Sequence, residues 1–328
     1  MNSPLAPSPR RPEVLAVHSV NRFVVTVPDI GAALRFYEAF GLDVRPVRGG
    51  IDLYSFGHPH HWASVVEAGD CKRLQYLSYG IYPEDAEAFR SLIEERRIAC
   101  APHSLAQSEG LWLRNPDETP IQLVVAPKVS PSIKSTLAIR APVPAGKGAA
   151  SSRSGVEPVH PRHLSHLLCF TPDVTRMVAF QRDVLGLRLS DHSGDIIAFL
   201  HTPHGSDHHL VAFAKSHAPG LHHSSWDVAS VDEVGLGAEQ MRNAGWSEGW
   251  GVGRHVLGSN YFNYVQDPWG SFCEYSCDID FVPHDVDWQA ADHDAADSLY
   301  VWGPPVPQNF VTNTEHPVPK GQAMGERA

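Results

Sequence analysis

The second half of the chain repeats the first, and this duplication constrains the fold more than any other feature of the sequence. One copy begins at Arg22 and reads RFVVTVPDIGAALRFYEAFGLDV, and the other begins at His166 and reads HLLCFTPDVTRMVAFQRDVLGLRL. The copies share an aspartate, a phenylalanine and a glycine in the same order, namely Asp29 and Asp173, Phe36 and Phe180, and Gly41 and Gly186. Duplication of an ancestral segment explains the match, so both halves are expected to adopt one fold.

Each copy has the pattern of a strand followed by an amphipathic helix. The aspartate can accept hydrogen bonds from the first helical amides, and the glycine closes the helix. Short alternating segments follow, which is typical of a strand meander. A second strand and helix come next in each half, and two strands around a turn at Asn115 or Asp267 close it. The sequence therefore predicts an α+β fold in which each half contains two βαβββ modules that form a half-barrel with an open interior.

The length of 328 residues exceeds what one ordinary core accommodates and suits two domains. Composition predicts their boundaries, because the ends of the chain and a central stretch are rich in proline and small or polar residues. The predicted segments are a flexible arm at 1–16, a first domain at 17–126, a linker at 127–161, a second domain at 162–280 and a tail at 281–328. The aromatic residues of the tail predict that it packs on the second domain.

Charge and composition exclude several classes of protein. The net charge is -11 at pH 7 and the Lys and Arg residues are scattered, which argues against a nucleic-acid partner. No apolar run approaches the roughly 18 residues of a membrane span, and the N-terminal residues lack the apolar core of a signal peptide. We therefore expect a cytoplasmic homo-oligomer without a membrane partner. Five cysteines without a CxxC pair predict neither a disulfide framework nor a thiolate zinc site.

Three potential metal ligands stand at comparable module positions in the second half. His166 lies on a predicted strand, where it shares a face with Leu168 and Phe170. His223 has a similar position before the next helix, and Glu274 lies on the last strand. Two imidazoles and one carboxylate form a facial triad that binds a divalent metal and leaves adjacent coordination positions open. The alternative is a set of unrelated histidines, since the chain has 20 of them, but the comparable positions favour the triad.

The motifs around these residues resemble a known family. The second half contains HLLCFTPD, HHLVAF, LHHSSWDVAS, GRHVLGSNYFNY and DPWGSFCEYS. These motifs are similar to those of the type I extradiol catechol dioxygenases of the vicinal oxygen chelate superfamily, such as the 2,3-dihydroxybiphenyl 1,2-dioxygenases. The resemblance implies that His223, rather than His222, is the metal ligand of the His-His pair. It also implies that Glu274 is the third ligand.

The same resemblance implies three further site residues. His209, in HHLVAF, matches an acid/base histidine beside the O2 position. His255 and Tyr264 match a histidine and a tyrosine that hydrogen-bond the bound diol. A catechol needs a base to bind as a chelating anion, and reduced oxygen needs a proton donor. The alternatives are a surface strand histidine for His209 and a core aromatic residue for Tyr264.

Two features depart from the family pattern. Leu257 and Gly258 stand where many relatives have polar residues, so few hydrogen-bond donors are expected at the distal end of the substrate. In the first half, the three ligand positions read Arg22, Gln75 and Gln122. A guanidinium stays protonated and cannot ligate a metal, so the first domain is expected to be metal-free and the second domain to be catalytic.

The family implies an activity, a cofactor and a substrate class. The expected reaction opens the ring of a 3-substituted catechol such as 2,3-dihydroxybiphenyl, with both atoms of O2 entering a 2-hydroxy-6-oxo-dienoate, in the degradation of aromatic compounds. Fe(II) is the expected metal and Mn(II) the alternative, since a His/His/carboxylate triad suits both. We expect an apolar ring substituent, because the predicted pocket wall consists of Leu168, Phe213, Trp226, Leu257 and Leu299.

Two other functions of the same superfamily stay open. A glyoxalase or epimerase would use this fold for proton transfer on a non-aromatic substrate, with ligands from both modules of a site. Glutamine can serve as a ligand there, but Arg22 and the complete triad in one half argue against this function. A metal-free binding or resistance protein is the third candidate, and the intact triad argues against it.

Overall fold

The computed structural model describes residues 10–138 and 143–317 of the chain. Within these residues the strands form two large sheets, and each large sheet contains strands of one half of the sequence. This architecture confirms the predicted α+β class and the duplication. No helix in these two ranges combines the length and the apolar character that a membrane crossing requires.

The first half forms a seven-stranded sheet with two α-helices. Its strands are β1 (Ser19–Val27), β2 (Asp43–Val47), β3 (Gly50–Tyr54), β4 (Ala63–Glu67), β5 (Arg73–Ile81), β6 (Leu111–Arg114) and β7 (Pro120–Val125). The strand order is β2-β3-β4-β1-β5-β7-β6. Helix α1 (Ile30–Ala39) follows β1, and helix α2 (Ala86–Arg96) follows β5. β1 and β5, which each begin a module, pair antiparallel at the centre.

The second half forms a ten-stranded sheet that includes two tail strands. Its strands are β8 (His163–Thr171), β9 (Arg188–Ser193), β10 (Ile197–His201), β12 (Val211–Lys215), β13 (Gly220–Asp227), β14 (Gly249–His255), β15 (Tyr261–Gln266), β16 (Phe272–Cys277), β18 (Ala291–Asp292) and β19 (Tyr300–Trp302). Their order is β18-β9-β10-β12-β8-β13-β16-β15-β14-β19. A separate pair joins β11 (Ser206–Asp207) to β17 (Phe281–Val282). The helices are α3 (Val174–Asp183) and α4 (Val231–Asn243).

The duplicated aspartates begin the first helix of each half, as predicted. Asp29 accepts a hydrogen bond from the amide of Ala32 at 2.9 Å, and Asp173 accepts one from the amide of Arg176 at 2.9 Å. Each carboxylate satisfies one of the amides that a helix leaves unpaired at its N-terminus. The cap therefore fixes the point at which the central strand turns into the helix.

The duplicated glycines have a steric reason. Gly41 and Gly186 adopt φ values of 90° and 71°, which L side chains rarely adopt. A Cβ atom on Gly41 would lie 2.0 Å from the carbonyl oxygen of Val159, and one on Gly186 would lie 2.1 Å from that of Leu15. Glycine at both positions therefore lets a distant segment of the chain pass directly against the end of the helix.

The second module of the first half has one strand fewer than the predicted βαβββ pattern. The strand that would correspond to β14 is reduced to a single β-bridge between Ala99 and Leu113. Pro102 follows shortly after and has no backbone N–H to donate to a ladder, which ends the pairing. The second half has both modules complete.

Buried contacts join the two halves. Tyr275 stacks on Phe40 with ring centroids 4.0 Å apart, and its hydroxyl donates to the Phe40 carbonyl at 2.9 Å. Lys72 of the first half forms an ion pair with Asp267 of the second half, and both side chains are almost fully buried. The halves therefore share a continuous interior, in which one hydrophobic cluster contains residues of both sheets.

The segments outside the two sheets also pack on the fold. Residues 10–16 differ from the expected flexible arm, because Ala16 is fully buried and the guanidinium of Arg10 pairs with Asp85. In the tail, the carboxylate of Glu315 accepts hydrogen bonds from the amides of Leu74 and Leu221, one from each half. Burial of apolar surface and these polar contacts hold both ends of the described chain in place.

Candidate active site

Three adjacent strands of the second sheet bring the predicted metal ligands together. Ser225 of β13 pairs with His166 of β8 on one side and with Glu274 of β16 on the other. His223 stands two residues before Ser225, so its side chain emerges on the same face. One ligand atom from each of the three predicted ligands lies within 4.8 Å of the other two, and all three side chains are buried. Oε2 of Glu274 lies 3.3 Å from Nε2 of His166 and 3.5 Å from Nε2 of His223.

The hydrogen bonds of His222 determine which nitrogen of His223 faces the cluster. Nε2 of His222 lies 2.6 Å from the carbonyl oxygen of Phe310, which can only accept, so His222 carries its proton there. Nδ1 of His222 therefore accepts a hydrogen bond from the N–H at Nδ1 of His223, 2.7 Å away. This assignment follows from the hydrogen-bond network and leaves a lone pair on Nε2 of His223.

His166 is oriented in a similar way. The hydroxyl of Ser165 donates to Oδ2 of Asp207 at 3.1 Å, and its oxygen lies 3.2 Å from Nδ1 of His166. Nδ1 of His166 therefore donates to Ser165, and Nε2 keeps its lone pair. Outer contacts of this kind fix the ring orientation and the tautomer of metal-ligating histidines.

The surroundings of the buried Glu274 carboxylate show whether the three predicted ligands fit a metal ion. Oε2 of Glu274 has no hydrogen-bond partner among the described residues, although it is buried between two imidazole nitrogens that present lone pairs. Asn260 donates to the other oxygen, Oε1, at 3.0 Å. Burial raises the pKa of Glu274, but the neighbouring groups of His166, His255 and Ser225 together hold the pKa below its usual value. A divalent cation would satisfy all three converging atoms, so the donor set fits a metal ion.

His255 and Tyr264 form a hydrogen-bonded pair beside the cluster. Nδ1 of His255 lies 2.7 Å from the carbonyl oxygen of Leu299 and therefore carries the proton. Its Nε2 lies 2.9 Å from the hydroxyl of Tyr264, which donates to it. Burial and the charge of Glu274 raise the pKa of Tyr264 well above its ordinary value. Tyr264 is therefore a neutral hydrogen-bond donor at the edge of the site.

His209 lies against the cluster without being part of it. Its ring centroid is 4.1 Å from that of His166, and its Nδ1 is 3.1 Å from Nδ1 of His208. Burial lowers the pKa of His209 well below its ordinary value, and the neighbouring imidazoles, of which His166 has the largest influence, lower it further. A neutral, buried imidazole can accept a proton from a hydroxyl group brought next to it.

A cavity of about 290 Å³ borders His166, His209 and His223, and most of its wall is apolar. Three residues of the predicted pocket wall lie there, namely Leu168, Leu257 and Leu299. This volume is close to the lower end of the range for small-molecule pockets.

The other two residues of the predicted wall lie elsewhere. Phe213 and Trp226 are buried in the main hydrophobic core, on the opposite face of the sheet from the cavity. Trp226 directly follows Ser225, so strand alternation turns it away from the face of His223. Phe213 lies on the core face of β12 together with Val211. Regular pairing of β12 begins only at Val211, so the alternation of side chains within the strand cannot be counted back to His209.

The sequence reasoning missed several cavity residues, including Phe199, Asn260 and Phe310. Asn260 belongs to the GSNYFNY segment and directly precedes the strand that carries Tyr264. A polar amide at this position could have indicated a residue of the site. Phe310 belongs to the tail, whose aromatic residues predicted packing but not a place in the cavity wall. The cavity lining also contains one lysine, Lys215, which forms an exposed ion pair with Asp195.

The first sheet has the corresponding positions without the ligands. By strand register, the residues that correspond to the three metal-ligand candidates are Arg22, Tyr76 and Gln122. The structure therefore corrects the assignment of Gln75 to the His223 position. Arg22 donates to Gln107 at 2.7 Å, and Gln122 donates to the carbonyl of Ser108 at 2.8 Å. Within residues 10–138 and 143–317, the second sheet holds the one converging group of His, Cys, Asp and Glu side chains that suits a metal.

Comparison with known proteins agrees with this geometry. The sequence profile of the Glyoxalase/Bleomycin resistance protein/Dioxygenase superfamily matches residues 163–275. The chain is 49% identical to Metapyrocatechase 2 of Cupriavidus necator over 92% of this chain and 93% of that protein. It is 32% identical to Biphenyl-2,3-diol 1,2-dioxygenase of Metapseudomonas furukawaii over 43% of this chain and 46% of that protein. The crystal structure of the Mn(II)-bound glyoxalase from Novosphingobium aromaticivorans is similar with a TM-score of 0.73 and 26% identity, covering 93% of this chain and 97% of that chain. The chain belongs to the extradiol catechol dioxygenases of this superfamily.

Proposed function

We propose that the protein opens the ring of a substituted catechol beside its two hydroxyl groups and inserts both atoms of O2, giving a 2-hydroxy-6-oxo-dienoate. The observation that carries this proposal is Oε2 of Glu274, which has no hydrogen-bond partner among the described residues and faces His166 and His223, two residues that line an apolar cavity. Two imidazoles and one carboxylate leave room for a chelating diol and O2 on one metal.

We further propose Fe(II) as the metal, with Mn(II) as the alternative. His166, His223 and Glu274 would hold either ion, since both accept this mixed nitrogen and oxygen ligand set. When bound, the metal supplies the one-electron chemistry and holds the catechol next to O2. The similar glyoxalase structure contains Mn(II), so the fold itself accommodates this alternative.

The chain's own residues would bind, orient and deprotonate the substrate. His209, neutral and next to His166, would take a hydroxyl proton from the catechol and later return a proton to an oxygen of the reacting substrate. The hydroxyl oxygen of Tyr264 would accept a hydrogen bond from a catechol hydroxyl, while its own proton goes to Nε2 of His255, which would hold the phenol in place. The apolar walls would exclude water around these groups.

The cavity also supports a preference for an apolar ring substituent. Leu168, Leu257 and Leu299 would contact the ring and its substituent. Arg254, the basic residue closest in sequence to Leu257, instead donates to the Ser259 carbonyl at 3.1 Å. A carboxylate deep in this cavity would lose its hydration without gaining a partner, which is costly.

Anaerobic reconstitution with Fe(II), followed by a spectrophotometric screen of 3- and 4-substituted catechols under O2, tests the proposal. We expect a yellow ring-fission product and consumption of one O2 per catechol. Proton transfer on a non-aromatic substrate without O2 uptake would instead identify a glyoxalase or epimerase. Tight binding of a small molecule without turnover would identify a binding or resistance protein. A cytoplasmic homo-oligomer stays our prediction, and analytical ultracentrifugation would measure the subunit number.

A further inference from the structure

A second buried pair lies behind His209, on the side away from the metal-ligand candidates. Nδ1 of His208 is 3.1 Å from Nδ1 of His209, and Nε2 of His208 is 2.9 Å from Oδ2 of Asp191. The side chains of His208 and Asp191 are 1% and 9% exposed. The three groups form a chain of hydrogen bonds that starts at the cavity and ends at Asp191, next to the tail strand β18.

This chain can be compared with the pair formed by His222 and His223, which are also joined through their Nδ1 atoms. The distal nitrogen of His222 meets the neutral carbonyl of Phe310, whereas that of His208 meets the carboxylate of Asp191. A carbonyl can accept a hydrogen bond but provides no full charge. A buried imidazolium needs a counter-charge, which Asp191 provides at the distal nitrogen of His208 and the Phe310 carbonyl does not provide at that of His222.

We propose that His208 and Asp191 form a proton relay that stores the proton His209 takes from the substrate and returns it later in the reaction. The inference rests on the proposed role of His209. His208 and Asp191 do not touch the substrate and act through His209, so they are positioning residues.

The relay moves one proton in each direction. Nε2 of His209 accepts the catechol hydroxyl proton while Nδ1 of His209 gives its own proton to Nδ1 of His208. His209 stays neutral, and the added charge resides on His208, whose Nε2–H continues to donate to Asp191. In the return direction, Nδ1 of His208 gives the proton back, and Nε2 of His209 delivers its proton to a substrate oxygen. No other reactant is required.

The surroundings of Asp191 favour its charged form. Oδ1 accepts hydrogen bonds from the amide of Ala291 at 2.9 Å and faces Nε2 of His293 at 3.1 Å. Burial raises the pKa of Asp191, but the hydrogen bonds from His208, Ala291 and His293 together hold it below the ordinary value. Among the described residues, no carboxylate hydrogen-bonds to His209, so the counter-charge lies one residue further along the chain of hydrogen bonds.

Gly258 lies against both rings. A Cβ atom there would lie 3.4 Å from Cε1 of His209 and 3.6 Å from Nδ1 of His208, which is ordinary van der Waals contact. Its φ is 84°, a conformation that L side chains rarely adopt, so the backbone conformation gives a local reason for glycine at this position.

The test compares Asp191→Asn, Asp191→Glu, His208→Gln and His209→Asn with the wild type. Asp43→Asn is the matched control, because Asp43 forms an exposed ion pair with Arg45 in the first half. Each variant is assayed for bound metal, unfolding midpoint, kcat and KM. A further readout is anaerobic binding of 4-nitrocatechol to the metal-loaded protein, because this probe changes its visible absorption when it loses its second hydroxyl proton.

We expect Asp191→Asn and His208→Gln to keep their metal and KM while kcat falls by about 10- to 100-fold, the range for outer contacts of a site. Both should leave bound 4-nitrocatechol less ionised, and Asp191→Glu should recover part of kcat. If Asp191→Asn fails to fold or loses its metal, the His208→Gln variant alone tests the relay. Wild-type kcat and probe ionisation in His208→Gln would overturn the relay. If His209→Asn also has the wild-type kcat, the acid/base role of His209 is rejected together with the relay. If kcat falls in His209→Asn but not in His208→Gln, only the relay is rejected.

Discussion

His209 and His223 are both buried imidazoles close to His166, and their hydrogen bonds separate their roles. Nε2 of His223 lies 3.5 Å from Glu274, inside the group of converging ligand atoms. His209 lies outside that group and hydrogen-bonds to His208. The contacts therefore support a ligand role for His223 and an acid/base role for His209.

Replacing His209 by Asn should separate catalysis from metal binding. The variant removes the proton acceptor but leaves His166, His223 and Glu274 unchanged. We expect iron content near that of the wild type and kcat lower by roughly 10²- to 10⁴-fold, the range for a lost acid/base group. His217→Asn, at an exposed histidine, is the control. Loss of iron together with activity would make His209 a ligand and contradict the triad.

Sequence could predict which three side chains converge, because each motif places a potential metal ligand on a strand. Sequence could not predict every side-chain direction. Gln75 was assigned to the position that Tyr76 occupies, because a one-residue slip in strand register reverses the face of each side chain. Ladder irregularities near these positions, between Val24 and Val25 and between Leu221 and His223, break the simple alternation. The hydrogen bond from Asn260 to Glu274 depends on such details and is not visible in the sequence.

At the level of elements, the tail completes the site. Phe310 packs on Trp250 and Tyr264, with ring centroids 4.8 and 4.9 Å away. Its carbonyl oxygen accepts a hydrogen bond from Nε2 of His222. Aromatic composition predicted that the tail packs on the second half, and these contacts are of that kind. Its place in the cavity wall could not be predicted, because no regular period links the tail to the strands.

Phe310→Ala should destabilise the fold and loosen the cavity. The side chain is 5% exposed, and truncating a buried phenylalanine costs about 3–5 kcal/mol. The backbone carbonyl remains, so metal content should change less than the free energy of unfolding. Denaturant titration measures the loss, with Val301→Ala, at a largely exposed tail residue, as the control. A Phe310→Ala protein as stable as the wild type would show that the tail does not pack in solution as described.

The strands of the cavity wall should set the substrate preference. Leu168 and Leu257 present apolar surface, and Lys215, the one lysine or arginine in the cavity lining, is already paired with Asp195 at the surface. We expect kcat/KM for a 3-alkyl or 3-aryl catechol to exceed that for the matching carboxylated catechol by at least about tenfold, since an unpaired buried carboxylate is costly. A preference for the carboxylated ring would mean that Lys215 leaves Asp195 to bind substrate, and Lys215→Met would then abolish that preference.

Across the whole molecule, the two duplicated halves have diverged in chemistry but remain joined by a buried ion pair. Lys72→Met should leave the carboxylate of Asp267 buried without its partner, which typically costs about 3–5 kcal/mol. The double variant Lys72→Met/Asp267→Asn should regain part of that loss. Denaturant unfolding of the wild type, the single variants Lys72→Met and Asp267→Asn, and the double variant measures the coupling between the two residues. If the single variant unfolds at the wild-type midpoint, this pair does not hold the halves together.

The duplication also makes the metal site asymmetric. The second half presents His166, His223 and Glu274, whereas the first half has Arg22, Tyr76 and Gln122 in the same places. An arginine and an amide in these places cannot replace the imidazole and the carboxylate that balance a divalent charge. We therefore expect no second metal site among the described residues of the first half, which contributes buried packing to the fold.

Anaerobic titration of metal-free protein with Fe(II), read out as the initial rate of O2 uptake with 3-methylcatechol, tests the central claim most directly. The rate should rise linearly and reach its maximum at one iron per chain. It should stay near zero for Glu274→Gln at the same iron level, while Glu87→Gln, at an exposed helical residue, should follow the wild type. A maximum at two irons per chain, or a Glu274→Gln curve that coincides with the wild type, would contradict a single catalytic metal site at His166, His223 and Glu274.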